Sequence, residues 1–400
     1  MSEVTTARPC PVCGAHQAGV LHAQRFVLAD DKKLTDSYRV VVCAGCGAAF
    51  ADTPVTQQEY DELYTRRSRY AAGPAAHARA GDRDIGRFRD MAAQLAEVVP
   101  DRRAAILDIG CANGQMLAAL SEQGYTQLAG ADPSPACVQE AGSIPGVRAF
   151  VGSLFDMPAG VDPYDVVILS HVLEHVRDVR PALARVQAMM TGRALIYVEV
   201  PDASRYAAYA WSPFQDFNSE HINHFSPRSL DNLLRASGFR PLTRGAKDIL
   251  SAPGMAYPAI YTIAVRDAAV SAAIEKDTAL KPALEDYVRV STEAMQDIDA
   301  RLSREVGGGE PVIVWGTGEL TAKLLADTAL GGANIRAFVD SNPINQGGRL
   351  RGVPILAPET LTSGPEPIVV ASILHHQSIV QAIRGRGLEN PIVALRPEPA

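Results

Sequence analysis

The stretch Ile106-Leu107-Asp108-Ile109-Gly110-Cys111-Ala112-Asn113-Gly114 decides the reading of this 400-residue chain. A short apolar run, Ala104 to Leu107, meets an acidic residue and enters a turn with two glycines; an apolar helix from Gln115 to Leu120 is expected next. Glycine lets the backbone approach a ligand closely, and the helix that follows presents its N-terminus. In Gly130-Ala131-Asp132-Pro133, 22 residues after Gly110, Asp132 closes the next apolar run. A carboxylate there can accept both hydroxyls of a ribose. Gly152-Ser153-Leu154-Phe155-Asp156 follows a third run, and Tyr164-Asp165-Val166-Val167-Ile168-Leu169-Ser170-His171-Val172-Leu173-Glu174-His175-Val176 carries a fourth.

Working outward, strand candidates Leu128–Ala131, Ala149–Val151, Val166–Leu169 and Leu195–Val198 alternate with helical segments. Continuous apolar strands separated by helices predict a parallel, doubly wound α/β sheet. Tyr257 to Val265 reads as an antiparallel edge strand or hairpin arm. Leu284, Tyr287, Val288, Met295, Ile298 and Leu302 recur at helical spacing until Gly307 to Gly309 breaks the pattern. The α/β theme then repeats. Val312–Trp315 leads into Gly316-Thr317-Gly318, Ala337–Val339 ends at Asp340, and Ile368–Ser372 and Ile392–Leu395 complete the set. The expected organisation is a zinc-binding module (1–55), a helical linker or lid (56–100), the first α/β domain (101–267), a helical linker (268–306) and a C-terminal α/β domain (307–400).

The zinc expectation rests on Cys-Pro-Val-Cys-Gly at 10–14 and Cys-Ala-Gly-Cys-Gly at 43–47. Each turn points two thiolates at one ion, and two turns complete a tetrahedron. A closed Cys10–Cys13–Cys43–Cys46 site has no open position, so the zinc is expected to be structural. The first residues lack the basic start and apolar run of a secretion signal, and no apolar run nears a membrane span. Apolar residues make up 47% and the net charge is −7. These values fit a folded cytoplasmic protein with no membrane partner and argue against nucleic-acid binding. Residues 1–60 hold five Lys plus Arg against six Asp plus Glu, net −1.

In order and spacing, residues 104–240 resemble class I S-adenosylmethionine-dependent methyltransferases, with Ala112 where that family often has glycine. NAD in the same fold is the competing reading of the turn. The resemblance implies S-adenosylmethionine as cofactor. Asp132 would hold its ribose, Gly110 and Gly114 would line its methionine part, Leu154 would touch its adenine, and Asp108, Cys111, Pro133 and Ser153 would belong to the same cofactor site. Ser170 and His171 would flank the pocket.

Phe217-Asn218-Ser219-Glu220-His221-Ile222-Asn223-His224-Phe225-Ser226 is polar beyond the needs of a plain loop. Adjacent side chains on an extended segment point opposite ways, so one of Glu220 and His221 can face a substrate while the other anchors the loop. A histidine suits proton abstraction near neutral pH. With this segment, the whole chain resembles the sugar C-methyltransferases of deoxysugar biosynthesis, as found in antibiotic pathways. It departs from them at Asn218, Trp315 and Glu319. The fold class implied is a Rossmann-like methyltransferase domain with an N-terminal zinc ribbon and a second, C-terminal Rossmann-like domain. The resemblance implies a nucleotide-linked 4-keto sugar as substrate and His221 as the base. His175 maps onto a second family histidine, and Tyr70 or Tyr64 onto a tyrosine. His224, His16 and His22 are expected to be ordinary loop or solvent histidines. The Gly316-x-Gly318 turn with Asp340 is read as a degenerate nucleotide fold that helps bind the substrate's nucleotide or closes the cleft. The alternatives are an O- or N-methyltransferase on the same scaffold, an RNA-base methyltransferase, and a non-catalytic zinc-ribbon adaptor.

Overall fold

The computed structural model describes residues 3–67, 81–157, 163–252 and 254–396. The chain divides into two compact units. The first takes Met1–Val20, Val41–Arg205 and Glu220–Lys281; the second takes Leu21–Val40, Tyr206–Ser219 and Pro282–Ala400.

Strands β1 (Glu3–Thr5), β2 (Gln17–Arg25), β3 (Ser37–Cys43), β4 (Ala49–Asp52) and β10 (Asn223–His224) form a five-stranded sheet in the order β1-β2-β3-β4-β10. The first unit then adds helices Gln57–Arg67 and Gly81–Val98. Its main sheet is built from β5 (Ala105–Ile109), β6 (Gln127–Asp132), β7 (Val147–Val151), β8 (Tyr164–Ser170), β9 (Met190–Pro201), β11 (Phe239–Ala252) and β12 (Met255–Arg266). The order is β11-β12-β9-β8-β5-β6-β7. Strands β5 to β9 run parallel, and β12 and β11 add an antiparallel hairpin. The chain therefore leaves β5 in one direction through β6 and β7, then returns to build β8 and β9 on the other side. In open α/β sheets ligands bind outside the carboxyl ends of the strands at such a reversal.

The Tyr257–Val265 stretch is an antiparallel hairpin arm, as one of the two readings has it, and it is the inner arm, not the edge. The edge is β11, whose Arg240, Thr243, Arg244, Lys247 and Asp248 break any readable alternation. Both faces of the sheet are buried, as the continuous apolar runs of β5 and β8 require. One face continues into the cysteine module, where Cys10, Val12 and Phe50 share a core with Leu107, Val200 and Phe225.

The second unit contains most of the helix Leu280–Val306, which buries Leu284, Tyr287, Met295, Ile298 and Leu302 and leaves Val288 half-buried. Its sheet comprises β13 (Pro311–Trp315), β14 (Asn334–Val339), β15 (Arg349–Leu350), β16 (Val353–Leu356), β17 (Ile368–Val370) and β18 (Ile392–Ala394), in the order β15-β16-β14-β13-β17-β18. All pairs except β15–β16 are parallel. Among the described residues no helix is long and apolar enough to cross a membrane.

Candidate functional site

Strand β5 delivers Asp108 into the interior and hands the chain to the glycine turn. Gly114, at φ +82°, caps the helix Gln115–Glu122; a Cβ there would lie 2.7 Å from Ile144 Cδ1. Ala112 also takes a left-handed conformation, at φ +46°, which costs a non-glycine residue roughly 1–2 kcal/mol. Its N–H reaches across to β6 and donates to Asp132 Oδ2 at 3.0 Å, while Ser134 N–H donates to Oδ1 at 2.9 Å. Two donors leave the Asp132 carboxylate with acceptor capacity to spare, since a carboxylate has about four lone-pair sites. Burial, and then the nearby Asp132 charge, push the Asp108 carboxyl up to about 8, with Arg87 opposing the rise. Burial likewise raises the Cys111 thiol, which donates to the Ala112 carbonyl. Pro133 is half-buried beside Asp132. Leu154 is packed in the core, and Ser153 Oγ accepts from Phe155 N–H at 3.2 Å.

At the neighbouring strand ends the sheet places Ser170 beside Glu199. His171 follows at φ +54°, in the left-handed region that few non-glycine residues adopt. Its Nδ1 lies 2.9 Å from Glu174 Oε1 and its Nε2 3.5 Å from Glu199 Oε1. Burial alone would lower the His171 pKa; the two carboxylates outweigh it and hold the imidazole above its usual range. Glu199 is fully buried and accepts from Arg87 (2.7 Å), Lys247 (2.8 Å) and the Tyr197 hydroxyl (2.7 Å). Burial opposes its ionisation, yet His171, Arg87 and Lys247 together hold it well below the carboxylate range.

The Glu220–His221 segment is stitched on both sides. Ile222 N–H donates to the Glu174 carbonyl at 2.8 Å, and Ala51 N–H donates to the Ile222 carbonyl at 2.9 Å. The next two residues are β10, paired antiparallel with β4. Asn223 then ties three pieces together. Its amide donates to the carbonyls of Leu173 and Val176, both at 2.7 Å, and its oxygen accepts from Arg8 at 2.6 Å. The result places the His175 and His221 rings 4.8 Å apart and nearly perpendicular. Tyr64 Oη lies 2.9 Å from His175 Nδ1, and the Glu220 carbonyl 3.1 Å from the same nitrogen. The Glu220 carbonyl can only accept, so this contact is a hydrogen bond when Nδ1 carries the proton. Glu174, His175 and His221 also bring one donor atom each within 4.8 Å of one another. Tyr70 lies outside the described residues.

The four cysteines converge, with their sulfurs within 4.8 Å of one another. Cys10 and Cys46 sulfurs are 3.5 Å apart, those of Cys13 and Cys43 3.4 Å. These separations exceed a disulfide bond and suit four thiolates about one ion. Each turn closes identically: Gly14 N–H donates to Cys10 O, and Gly47 N–H to Cys43 O. Gly47, at φ +77°, allows Asp277 to lie against it, since a Cβ would come 2.0 Å from the Asp277 carbonyl.

Several of these residues escaped the sequence reading. His224 is a correction: it is fully buried, not a solvent histidine, and burial beside Arg8 drives its pKa down to about 3. Its partner strand β4 carries no long periodic signal. Glu199 was legible in principle, as an acid inside the apolar run of β9. Arg87 was not, being one arginine among several on an amphipathic helix.

The sequence profile of a family described as a methyltransferase domain matches residues 83–244. The chain therefore carries a methyltransferase domain. The matched span holds Arg87, the glycine turn, Asp132, the β8 and β9 ends and the Glu220–His221 segment. No curated protein sequence matches the chain. Similar solved structures include the Burkholderia thailandensis 1,6-didemethyltoxoflavin-N1-methyltransferase (19% identity, 56% of this chain and 96% of that one, TM-score 0.42). The Synechocystis PCC 6803 magnesium protoporphyrin IX methyltransferase is another (16%, 53% and 98%, TM-score 0.40). A third is a Methanosarcina mazei S-adenosylmethionine-dependent methyltransferase (17%, 42% and 94%, TM-score 0.36).

Proposed function

We propose that this methyltransferase alkylates carbon on a small molecule, a nucleotide-linked keto sugar, with His221 as general base. The observation that carries the reading is the His175–His221 pair at the strand ends, buttressed by Tyr64 and the Glu220 carbonyl. A ketone acidifies the neighbouring C–H, and an imidazole is matched to remove such a proton near neutral pH. S-adenosylmethionine supplies the electrophilic methyl group. His221 would take the proton and leave the substrate as an enolate; the cofactor, when bound, would supply its methyl to the enolate carbon with S-adenosylhomocysteine as the leaving group, and the proton would stay on His221 until solvent removes it. Tyr64 and Glu220 hold His175 in one orientation. Arg8, Asn223 and β4 hold the loop that bears His221, so the cysteine module supports the base directly. The Cys10, Cys13, Cys43 and Cys46 thiolates hold a structural zinc in this reading.

The test is hydrogen exchange. With S-adenosylhomocysteine present, the enzyme is expected to exchange the C–H next to the ketone of a thymidine diphosphate 4-keto sugar for deuterium. His221→Ala is expected to abolish this while S-adenosylhomocysteine still binds. Wild-type enzyme that methylates a hydroxyl or amine with no carbon exchange would replace this reading with O- or N-methylation.

A further inference from the structure

We infer that the second unit binds a small phosphate monoester in a basic cavity of its own. The cavity measures about 290 Å³ and is lined by Arg301, His376, Val380, Arg384, Ile392 and Ala394. All six belong to the second unit and lie outside the matched span 83–244. Three elements bring them together. The helix His376–Gly385 contributes His376, Val380 and Arg384, spaced four apart and hence on one face. Strand β18 contributes Ile392 and Ala394, two apart and on one side of the strand. The helix Leu280–Val306 contributes Arg301. Strand β18 is the border of its sheet, so the cavity sits where the sheet ends.

The lining divides by chemistry. Val380, Ile392 and Ala394 are apolar, the other three residues are basic, and none is acidic. The helix His376–Gly385 and β18 contain no acid at all. Among the described residues Arg301 has no hydrogen bond and no ion pair, although Asp297 and Glu305 lie about one turn away on its own helix. Its Nε is buried without a partner, as is His376 Nε2. Buried polar nitrogens without partners are costly and uncommon in native proteins. Arg384 is held in place: its Nη1 donates to the carbonyls of Leu388 at 2.7 Å and Asn390 at 3.0 Å, which leaves the rest of the fork for another acceptor. Guanidinium forks match the paired oxygens of a phosphate, and two of them suit its double charge. The apolar wall suits the organic group that the phosphate esterifies. The volume is close to the lower bound of small-molecule sites and exceeds what a bare phosphate fills.

Calorimetry on the full chain with three small probes tests the assignment. Phenyl phosphate is expected to bind at least about 10-fold more tightly than inorganic phosphate, which lacks the ring, and than benzoate, which has the ring but a single charge. Arg301→Met and Arg384→Met are each expected to weaken phenyl phosphate about 10-fold. Arg384 is exposed, so its replacement leaves the core untouched. Arg289→Met, on the same helix as Arg301 but paired with Asp286 and Glu293, is expected to change nothing. No binding of phenyl phosphate, binding that survives both arginine changes, or equal weakening by Arg289→Met would overturn the assignment. Benzoate or inorganic phosphate bound as tightly as phenyl phosphate would overturn the monoester as the ligand class.

Discussion

Two strand–turn–strand segments of this chain look alike and are finished differently. In the first, Asp132 at the end of β6 accepts from the turn residue Ala112 and from Ser134. In the second, Asp340 follows β14 and accepts from the Thr317 N–H and hydroxyl, from Asn342 N–H and from the Asn345 amide. Four donors fill a carboxylate; two do not. The first helix has no acid in its opening turn, whereas the second begins with Glu319, which repels an anion at a helix N-terminus. Glu319 is itself engaged by Ser219 and Lys32. The same turn is thus open to a ligand in one unit and closed by its own side chains in the other.

The largest expected effect breaks the pair apart by function. Asp132→Asn should weaken S-adenosylhomocysteine binding about 100-fold, whereas Asp340→Asn should leave it unchanged; equal losses would show that both turns take the cofactor. Stability should rank the other way. Asp340→Ala strands several donors and should cost about 2–4 kcal/mol, read by denaturant unfolding of the second unit. Both tryptophans, Trp211 and Trp315, lie in that unit and report on it.

The pH dependence of the two acids should differ in sign. The Asp108 carboxyl has a folded pKa of about 8, so the folded state binds the extra proton and stability falls as pH rises from the ordinary carboxylate range to about 8. Glu319 is held down at about 2, despite its burial, chiefly by Lys32 and Lys323. Its contribution is complete above the ordinary glutamate range and is lost as pH falls toward 2. Melting curves of Asp108→Asn and Glu319→Gln across pH should each lose one of these slopes and keep the other. The smallest effect concerns backbone strain. Ala112→Gly should raise stability by about 1 kcal/mol, whereas Thr317→Gly should lower it by a similar amount through the lost hydroxyl bond to Asp340. Calorimetric scans would show melting temperatures moving in opposite directions.

The likeness of the two turns was readable from their residues; the difference was not. Parallel strands buried on both faces announce themselves as apolar runs, so β5, β6, β8, β13 and β14 were legible, and so were the cysteine pairs. Strand β11 was hidden because an edge strand tolerates Arg, Lys and Asp. Strands β10, β15 and β16 were hidden by their brevity. How many donors surround Asp132 or Asp340 depends on side chains folding back from neighbouring turns, which spacing does not encode. The contact between Tyr64 and His175 joins residues 111 positions apart; only the fold brings them together.

Strand β10 leaves a mark on how the protein must be made. The cysteine turns and β4 leave the ribosome early, but the partner that covers β4 at Phe50 is Asn223. At ordinary translation speeds of roughly 5–20 residues per second, that gap lasts on the order of ten seconds or more. Throughout it, β4 is an open sheet border able to recruit the wrong strand. The nascent chain is therefore most vulnerable to mispairing, and most in need of a chaperone, until the segment bearing His221 emerges and closes that border.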